Sequence, residues 1–556
     1  MDDKEQTPKP ESKPVDQTPE TDQADQKARV IPIASLEAKR LLQLEACTRC
    51  GECLNWCPVY DQDRREDILP RKKAADFLKI IKSQHGLLAS LAQGKSEPGL
   101  VRRTLSKLFG QHQISEEEVR RFAENLYECS TCGQCQIVCP ANIDTVNLWE
   151  EIRRVMVMAG YGPLEPQKAL VKSVKSYDNP WQQPRTARVK WARRAKKEKL
   201  ISEVPADMAK KPGRILLYLG CTASFDTNVR QVAISTVNIL DHLGIDYAIL
   251  GNDEACCGSV MLRMGDPEYR RIFNQNIEQF NSLGIDALVT SCAGCFKTIS
   301  EDYPKVGKLN FEVLHTAQFL KRLLDQGKLE FKYPVDRVIT YHDPCHLGRA
   351  SHEYDAPRDI MDAIPGLTLN EMPRNREYSR CCGAGGGLKS GYPDIQNKMA
   401  QERVKEAEET GAQELISCCP FCNQGLIVGI NALGSNLIAR DLTRLVELSL
   451  LGEQLPEQKT PAPAEEAAPT VSPPEPAPAP APEAAQPAPS VKTVKTVKTV
   501  TPVKKVTSVK AVKPVKTVKP VKTVKTVKTV KTVKPVKAAA PAEPPPAADP
   551  EEATDT

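Results

Sequence analysis

The sequence predicts an α/β protein in which an α-helical, cysteine-rich N-terminal unit precedes two copies of a cysteine-rich α/β unit. Three observations carry this expectation. Two segments share the spacing C-x2-C-x2-C-x3-C-P, and two later segments share a five-cysteine spacing. Between residues 213 and 452, short apolar runs alternate with stretches of helical length and periodicity. At 556 residues the chain exceeds the usual size of a single core, so several domains are expected.

In chain order, residues 1–30 are acidic and Pro-rich and read as a disordered extension. They lack both the positive segment and the apolar core of an export signal. Residues 31–165 form the helical unit. EDILPRKKAADFLKIIKSQ, ISEEEVRRFAENLYE and VNLWEEIRRVMVMAG repeat apolar residues at three- and four-residue spacing, and Ser115 with Glu118 makes a capping-box pattern. Residues 166–212 are a basic linker. Within it, 168–199 carries 11 Lys or Arg against two acids, with Trp181 and Trp191 interspersed. Two readings stand for this segment: a solvated face, or a docking surface for a partner or an anionic membrane.

Residues 213–333 and 334–452 read as a duplication. RILLYLGC opens the first copy and RVITYHDPC the second, each a buried strand delivering a cysteine at its end. IDALVTSC and AQELISCC repeat that arrangement. NVRQVAISTVNILDHLG and DIQNKMAQERVKEAEETG supply the helices between. Residues 453–556 are Pro/Ala-rich and then Val-Lys-Thr-repetitive. Period three suits neither helix nor strand, so a disordered or extended tether is expected.

The formal charge of +5 is misleading about partners. Residues 491–537 hold 15 lysines and no acid, whereas 457–490 contribute −4 and 538–556 contribute −5, which leaves 1–456 at about −1. No global argument for nucleic-acid binding follows. With no run of 18 apolar residues, no membrane span is expected. The working compartment is read as reducing cytoplasm, where clustered cysteines bind metal more often than they form disulfides.

Nineteen cysteines carry the chemistry. Cys47, Cys50, Cys53 and Cys57 form the first C-x2-C-x2-C-x3-C-P run, and Cys129, Cys132, Cys135 and Cys139 the second. This is two-cluster ferredoxin spacing, in which the fourth cysteine of each run serves the other cluster. One [4Fe-4S] cubane is therefore assigned to Cys47, Cys50, Cys53 and Cys139, the other to Cys129, Cys132, Cys135 and Cys57. Zinc needs neither the third close cysteine nor the Cys-Pro at both places.

The remaining sets are Cys221, Cys256, Cys257, Cys292 and Cys295, then Cys345, Cys381, Cys382, Cys419 and Cys422. Five thiolates, two adjacent, exceed what tetrahedral zinc takes and suit a larger iron–sulfur assembly. Gly258 and Gly383, after the paired cysteines, permit a tight turn or a close backbone approach. GAGGGLKSG after Cys382 lacks the order of a phosphate-binding loop.

The ferredoxin motifs, together with ACCGS, TSCAGC, YHDPCHLGR, CCGAGGG and CCPFC, give the specific resemblance. Over residues 35–452 the chain resembles the catalytic iron–sulfur subunits of the heterodisulfide reductase family, including the DsrK-like subunits of membrane-bound sulfur-metabolism complexes. The resemblance implies a CCG domain in each copy, with one or two non-cubane [4Fe-4S] clusters. It implies electrons passing from an integral-membrane cytochrome b partner and other electron-transfer subunits to a disulfide or trisulfide on a small molecule or protein. The expected location is cytoplasmic, peripheral on the inner face of the membrane.

Under that resemblance the second set, Cys345, Cys381, Cys382, Cys419 and Cys422, is the catalytic candidate, with His346 placed to protonate a departing thiolate. His342 is another donor, structural hydrogen bonding is the alternative for both histidines, and Lys389 is a candidate for orienting an anionic substrate. The first set is open between a similar centre, a relay and a relic. Cys418 is open between packing, an alternative ligand and substrate exchange. A different enzyme class shares these domains: the electron-transfer subunit of flavin-dependent glycolate, lactate or glycerol-3-phosphate dehydrogenase complexes, with a flavoprotein partner.

Overall fold

The computed structural model describes residues 28–85 and 114–452. The expected N-terminal extension, apart from residues 28–30, and the low-complexity tail from 453 lie outside the described residues. Among those described, no helix is long and apolar enough to cross a membrane.

The helical unit is built from Pro70–His85, Glu116–Tyr127 and Thr145–Met158, packed with Ala38–Glu45. Phe77, Val119, Phe122, Leu126, Leu148, Ile152 and Val155 fill its core, and the Phe77 and Phe122 rings stack at 5.6 Å. The Glu116–Tyr127 helix starts at a capping box. Ser115 Oγ accepts from the Glu118 N–H at 3.2 Å, and Glu118 Oε2 accepts from the Ser115 N–H at 3.0 Å. Such a cap is worth about 1 kcal/mol.

The basic segment behaves differently from a solvated linker. It forms helices Glu165–Tyr177 and Lys190–Lys197, and it buries Val171, Val174, Trp191, Ala192 and Ala195. Arg193, Arg194, Lys196 and Lys197 face solvent. The charge density is thus one face of an amphipathic helix whose apolar face joins the main core.

Each later copy is a four-stranded parallel sheet. In the first, β1 (Ile215–Leu217), β2 (Tyr247–Ala248), β3 (Ala287–Thr290) and β4 (Glu312–His315) lie in the order β2-β1-β3-β4. In the second, β5 (Arg337–His342), β6 (Leu367–Leu369), β7 (Glu414–Ser417) and β8 (Ile438–Asp441) repeat it as β6-β5-β7-β8. β3 and β7 are buried along their full length, as apolar strands covered on both faces must be. Strand order reverses between β1 and β3, and again between β5 and β7. The crevice beyond the strand ends there is the usual ligand position in open parallel sheets. Cys221, Cys292, Cys345 and Cys419 all follow those four strands.

The halves are joined by polar as well as apolar contacts. Glu447 is fully buried on the last helix, and it accepts from Gln231 Nε2 at 3.2 Å and Asn238 Nδ2 at 2.6 Å across the interface. Arg444 Nη1, 2.7 Å away, neutralises it.

Candidate metal centres and active site

All 19 cysteines are free thiols. In the helical unit, Cys47, Cys50, Cys53, Cys135 and Cys139 line one cavity, and Trp149, Leu148 and Ile143 complete the wall. Cys57, Cys129, Cys132 and Cys135 surround a second, walled by Val59, Ile68, Val146 and Trp149. Left-handed residues shape the turns: Arg49, Gly51, Thr131 and Gly133 all have positive φ. The Thr131 N–H donates to Cys129 Sγ at 3.4 Å. Burial pushes the Cys57 thiol up to about 12 and raises Cys53. Compact, apolar cavities lined by unpaired thiols fit cubane clusters.

In the first α/β copy, Cys221 and Cys256 are in hydrogen-bonding contact, as are Cys257 with Cys295 and Cys295 with Cys292. Gly258 turns the chain at φ +79°, and its N–H donates to Cys256 Sγ at 3.4 Å. Arg188, from the basic segment, donates to Cys221 Sγ at 3.2 Å and to Glu254 Oε1 at 2.8 Å. Glu254 in turn accepts the Gly220 N–H at 2.9 Å. Burial raises the Glu254 carboxyl, and Arg188 opposes the shift. Tyr218, three residues before Cys221, spends its hydroxyl on the Ala255 carbonyl at 2.7 Å.

The second copy repeats the sulfur arrangement. Cys381 contacts Cys345, Cys382 contacts Cys422, and Cys422 contacts Cys419. Gly383 has φ +79° and donates to Cys381 Sγ at 3.3 Å. His342 occupies the place of Tyr218. Its Nδ1 stands 3.2 Å from Arg403 Nε, the donor, so the His342, Cys382 and Cys422 donor atoms converge within 4.8 Å. Cys418 is apart from this group, buried against Tyr341, and burial raises its thiol. Backbone alternation at the end of β7 sends Cys418 and Cys419 to opposite sides.

The centres meet one another. Cys292 of the first set is in hydrogen-bonding contact with Cys419 of the second. His346 follows Cys345, yet its Nδ1 lies 3.6 Å from where a Cβ on Gly294 would stand, beside Cys292. Its Nε2 is buried without a hydrogen-bond partner. Burial, with Arg263 and Lys297 nearby, drives its pKa far down. On the other side Cys381 contacts Cys132, the pair sharing an apolar patch with Leu388 and Met399. Arg349 fixes this junction, donating to the Cys132 carbonyl at 2.8 Å and the Ser379 carbonyl at 2.6 Å.

Sequence reasoning missed Arg188, Glu254, Arg403 and the bracing role of Arg349. Only Arg349 lies in a recognisable motif, at the end of YHDPCHLGR; the others act through contacts distant in sequence.

Comparisons with known proteins agree with this layout. A 4Fe-4S dicluster domain model matches residues 43–143, and a cysteine-rich domain model, CCG, matches 215–300 and 339–426. One subunit of the dihydromethanophenazine:CoB–CoM heterodisulfide reductase of Methanosarcina barkeri is 38% identical over 428 residues, 76% of this chain and 97% of that protein. The chain belongs to the heterodisulfide reductase family. As a family member it is an iron–sulfur oxidoreductase that carries [4Fe-4S] clusters. More distant relatives of the heterodisulfide reductase-like chain are a probable iron-sulfur-binding oxidoreductase of Bacillus subtilis and the EtfAB:quinone oxidoreductase of Syntrophomonas wolfei. Each is 30% identical; they cover 76% and 71% of this chain, which spans 62% and 56% of their own lengths.

Proposed function

We propose that this chain is the catalytic subunit of a heterodisulfide reductase-like complex at the inner face of a membrane. It takes electrons from a quinol-linked cytochrome b partner and cleaves, or in reverse forms, a disulfide or trisulfide bond. The observation that carries this reading is the run of thiol contacts from Cys132 through Cys381 and Cys382 to Cys422, Cys419 and Cys292.

In this reading Cys47, Cys50, Cys53 and Cys139 hold one cubane, and Cys57, Cys129, Cys132 and Cys135 hold the other. Cys345, Cys381, Cys382, Cys419 and Cys422 hold a non-cubane centre, and Cys221, Cys256, Cys257, Cys292 and Cys295 hold a second. A bound non-cubane [4Fe-4S] centre supplies an iron with room for a substrate sulfur and a store for single electrons. The protein's own groups define where the sulfur–sulfur bond lies. In this reading the bond lies at the junction of the two sets, where Cys292 and Cys419 are in contact and the His346 ring stands beside Cys292. Cleaving R–S–S–R′ consumes two electrons from the quinol and two protons, and it yields RSH and R′SH. The buried His346 ring, with no internal partner at Nε2, is the group available to hydrogen-bond a departing sulfur.

Anaerobic purification followed by electron paramagnetic resonance of reduced, oxidised and thiol-treated protein tests this. A thiol-dependent signal is expected, lost on Cys381→Ala or Cys382→Ala while cubane signals persist. Two cubanes with no thiol-responsive centre would contradict it. The likeness to a quinone oxidoreductase named for its EtfAB partner favours a second reading, in which the chain only relays electrons for a flavoprotein. A stable flavoprotein partner without disulfide turnover would select that reading.

A further inference from the structure

The last residue of β5 and its counterpart in the first copy take the same place beside the sulfurs. Leu217 pairs with Val289, three residues before Cys292, and Tyr341 pairs with Ile416, three residues before Cys419. Tyr218 and His342 therefore correspond, each three residues before the first cysteine of its set. Tyr218 lies within electrostatic reach of Cys257 and Cys295, and His342 converges on the equivalent Cys382 and Cys422.

What each side chain offers those sulfurs differs. The Tyr218 hydroxyl donates its proton to the Ala255 carbonyl and has none left for a sulfur. His342 is 1% exposed, and two roles are open to it: a nitrogen ligand to the metal centre, or an N–H donor to a thiolate that holds the centre. Arg403 decides between them. Its Nε stands 3.2 Å from His342 Nδ1, and a guanidinium N–H can only donate. Nδ1 is the acceptor, so the ring proton sits on Nε2. A metal-binding imidazole shows the opposite arrangement, handing its second N–H to a carboxylate or carbonyl. Arg403 has no freedom to turn away, being fully buried with its other N–H groups committed. Nη1 donates to the Arg374 carbonyl at 2.8 Å and Glu406 Oε2 at 2.7 Å. Nη2 donates to Ser379 Oγ at 3.0 Å and the Tyr341 carbonyl at 3.5 Å. Cys382 is in hydrogen-bonding contact with His342, and its sulfur is the acceptor for that ring proton.

We propose that His342 is a potential-setting residue of the second centre: its Nε2–H, fixed by Arg403, hydrogen-bonds the Cys382 thiolate and raises the reduction potential of the cluster that thiolate holds. The proposal rests on the reading that the second five-cysteine set holds an iron–sulfur centre. A hydrogen bond to a cluster thiolate draws off negative charge, which favours the electron-rich state. The first copy has no such donor at this position; the side-chain donor to its sulfurs is Arg188, on a different cysteine, Cys221. The potentials of the two centres are thus set from different sulfurs although their cysteine spacing matches. The competing role is structural, with His342 filling the space behind the sulfurs.

Anaerobic holo-protein carrying isotope-labelled histidine is poised at a series of potentials, and each centre is followed by electron paramagnetic resonance. Electron–nuclear double resonance is recorded before and after exchange into heavy water. The wild type is expected to show an exchangeable proton coupled to one non-cubane centre, with only weak coupling to histidine nitrogen. His342→Phe should keep its iron, lose that proton, and lower the potential of that one centre by about 59 mV or more, a tenfold change in the one-electron equilibrium. The cubanes and the first centre should not move, and Tyr218→Phe should leave every potential unchanged. An unshifted potential in His342→Phe, an equal shift at all centres, or the strong coupling of a histidine nitrogen bonded to iron overturns the proposal. The wild-type couplings need no substitution, so they decide between donor and ligand even where His342→Phe does not fold. Iron for only two cubanes in the wild type would overturn this proposal together with the proposed function. A shifted potential without sulfur–sulfur cleavage would count against the proposed function alone.

Discussion

The two five-cysteine sites share strand positions, spacing and a left-handed glycine after the paired cysteines, but different groups stand behind their sulfurs. At the first, Cys221 is held by the buried Arg188–Glu254 pair, and Tyr218 turns its hydroxyl to a backbone carbonyl. At the second, His342 converges on Cys382 and Cys422, and Cys381 contacts Cys132 of the dicluster unit. One site is braced by charge, with no dicluster thiol in contact among the described residues; the other is joined directly to that unit. Duplication preserved the cysteine arrangement while its surroundings diverged; under the proposed function electrons enter at the second site, and the first meets it where Cys292 contacts Cys419.

The largest effect should come from breaking the brace. Arg188→Gln leaves Glu254, 2% exposed, charged and unpaired, at a cost of about 3–5 kcal/mol. Thermal unfolding should show the loss, and iron should leave the first site while the dicluster signals remain. Next is the histidine–tyrosine difference. His342→Gln is expected to lower turnover about 10–100-fold, whereas Tyr218→Phe should change it by only about twofold. Equal effects would erase the proposed division of labour. A smaller effect is expected at the glycines, where a side chain at φ +79° costs about 1–2 kcal/mol. Gly258→Ala should be the worse of the two in thermal melts. Its Cβ would stand 2.8 Å from the Phe273 ring, against 3.2 Å from Gln396 at Gly383. Least is expected of Cys418→Ala: about 1 kcal/mol of stability, with iron content and turnover unchanged.

Much of this architecture was legible in the chain. Strands ending at Cys221, Cys292, Cys345 and Cys419 follow from short apolar runs, and the Ser115 cap follows from local spacing. The edge strands β2, β4, β6 and β8 were not, since they are partly exposed and mix polar with apolar residues, leaving no continuous apolar run to read. The segment 166–212 misled because its exposed cations outnumber the apolar residues of the opposite face, and that face shows only once Trp191, Ala192 and Ala195 are placed on a helix. Arg188 and Arg403 were invisible for another reason. Each acts through contacts to residues far along the chain, with no fixed spacing to its partner. The meeting of Cys292 with Cys419 likewise belongs to the packing of the two halves, which neither copy encodes alone.

The central claim is that both five-cysteine sets serve one sulfur–sulfur bond. The most direct measurement is the thiol-dependent paramagnetic signal of anaerobic holo-protein, recorded side by side for the wild type, Cys382→Ala and Cys257→Ala with the dicluster signals as internal reference. The account predicts loss or marked alteration of the signal in both variants, with the dicluster signals retained. An unaltered signal in Cys257→Ala would contradict it and leave the second site acting alone.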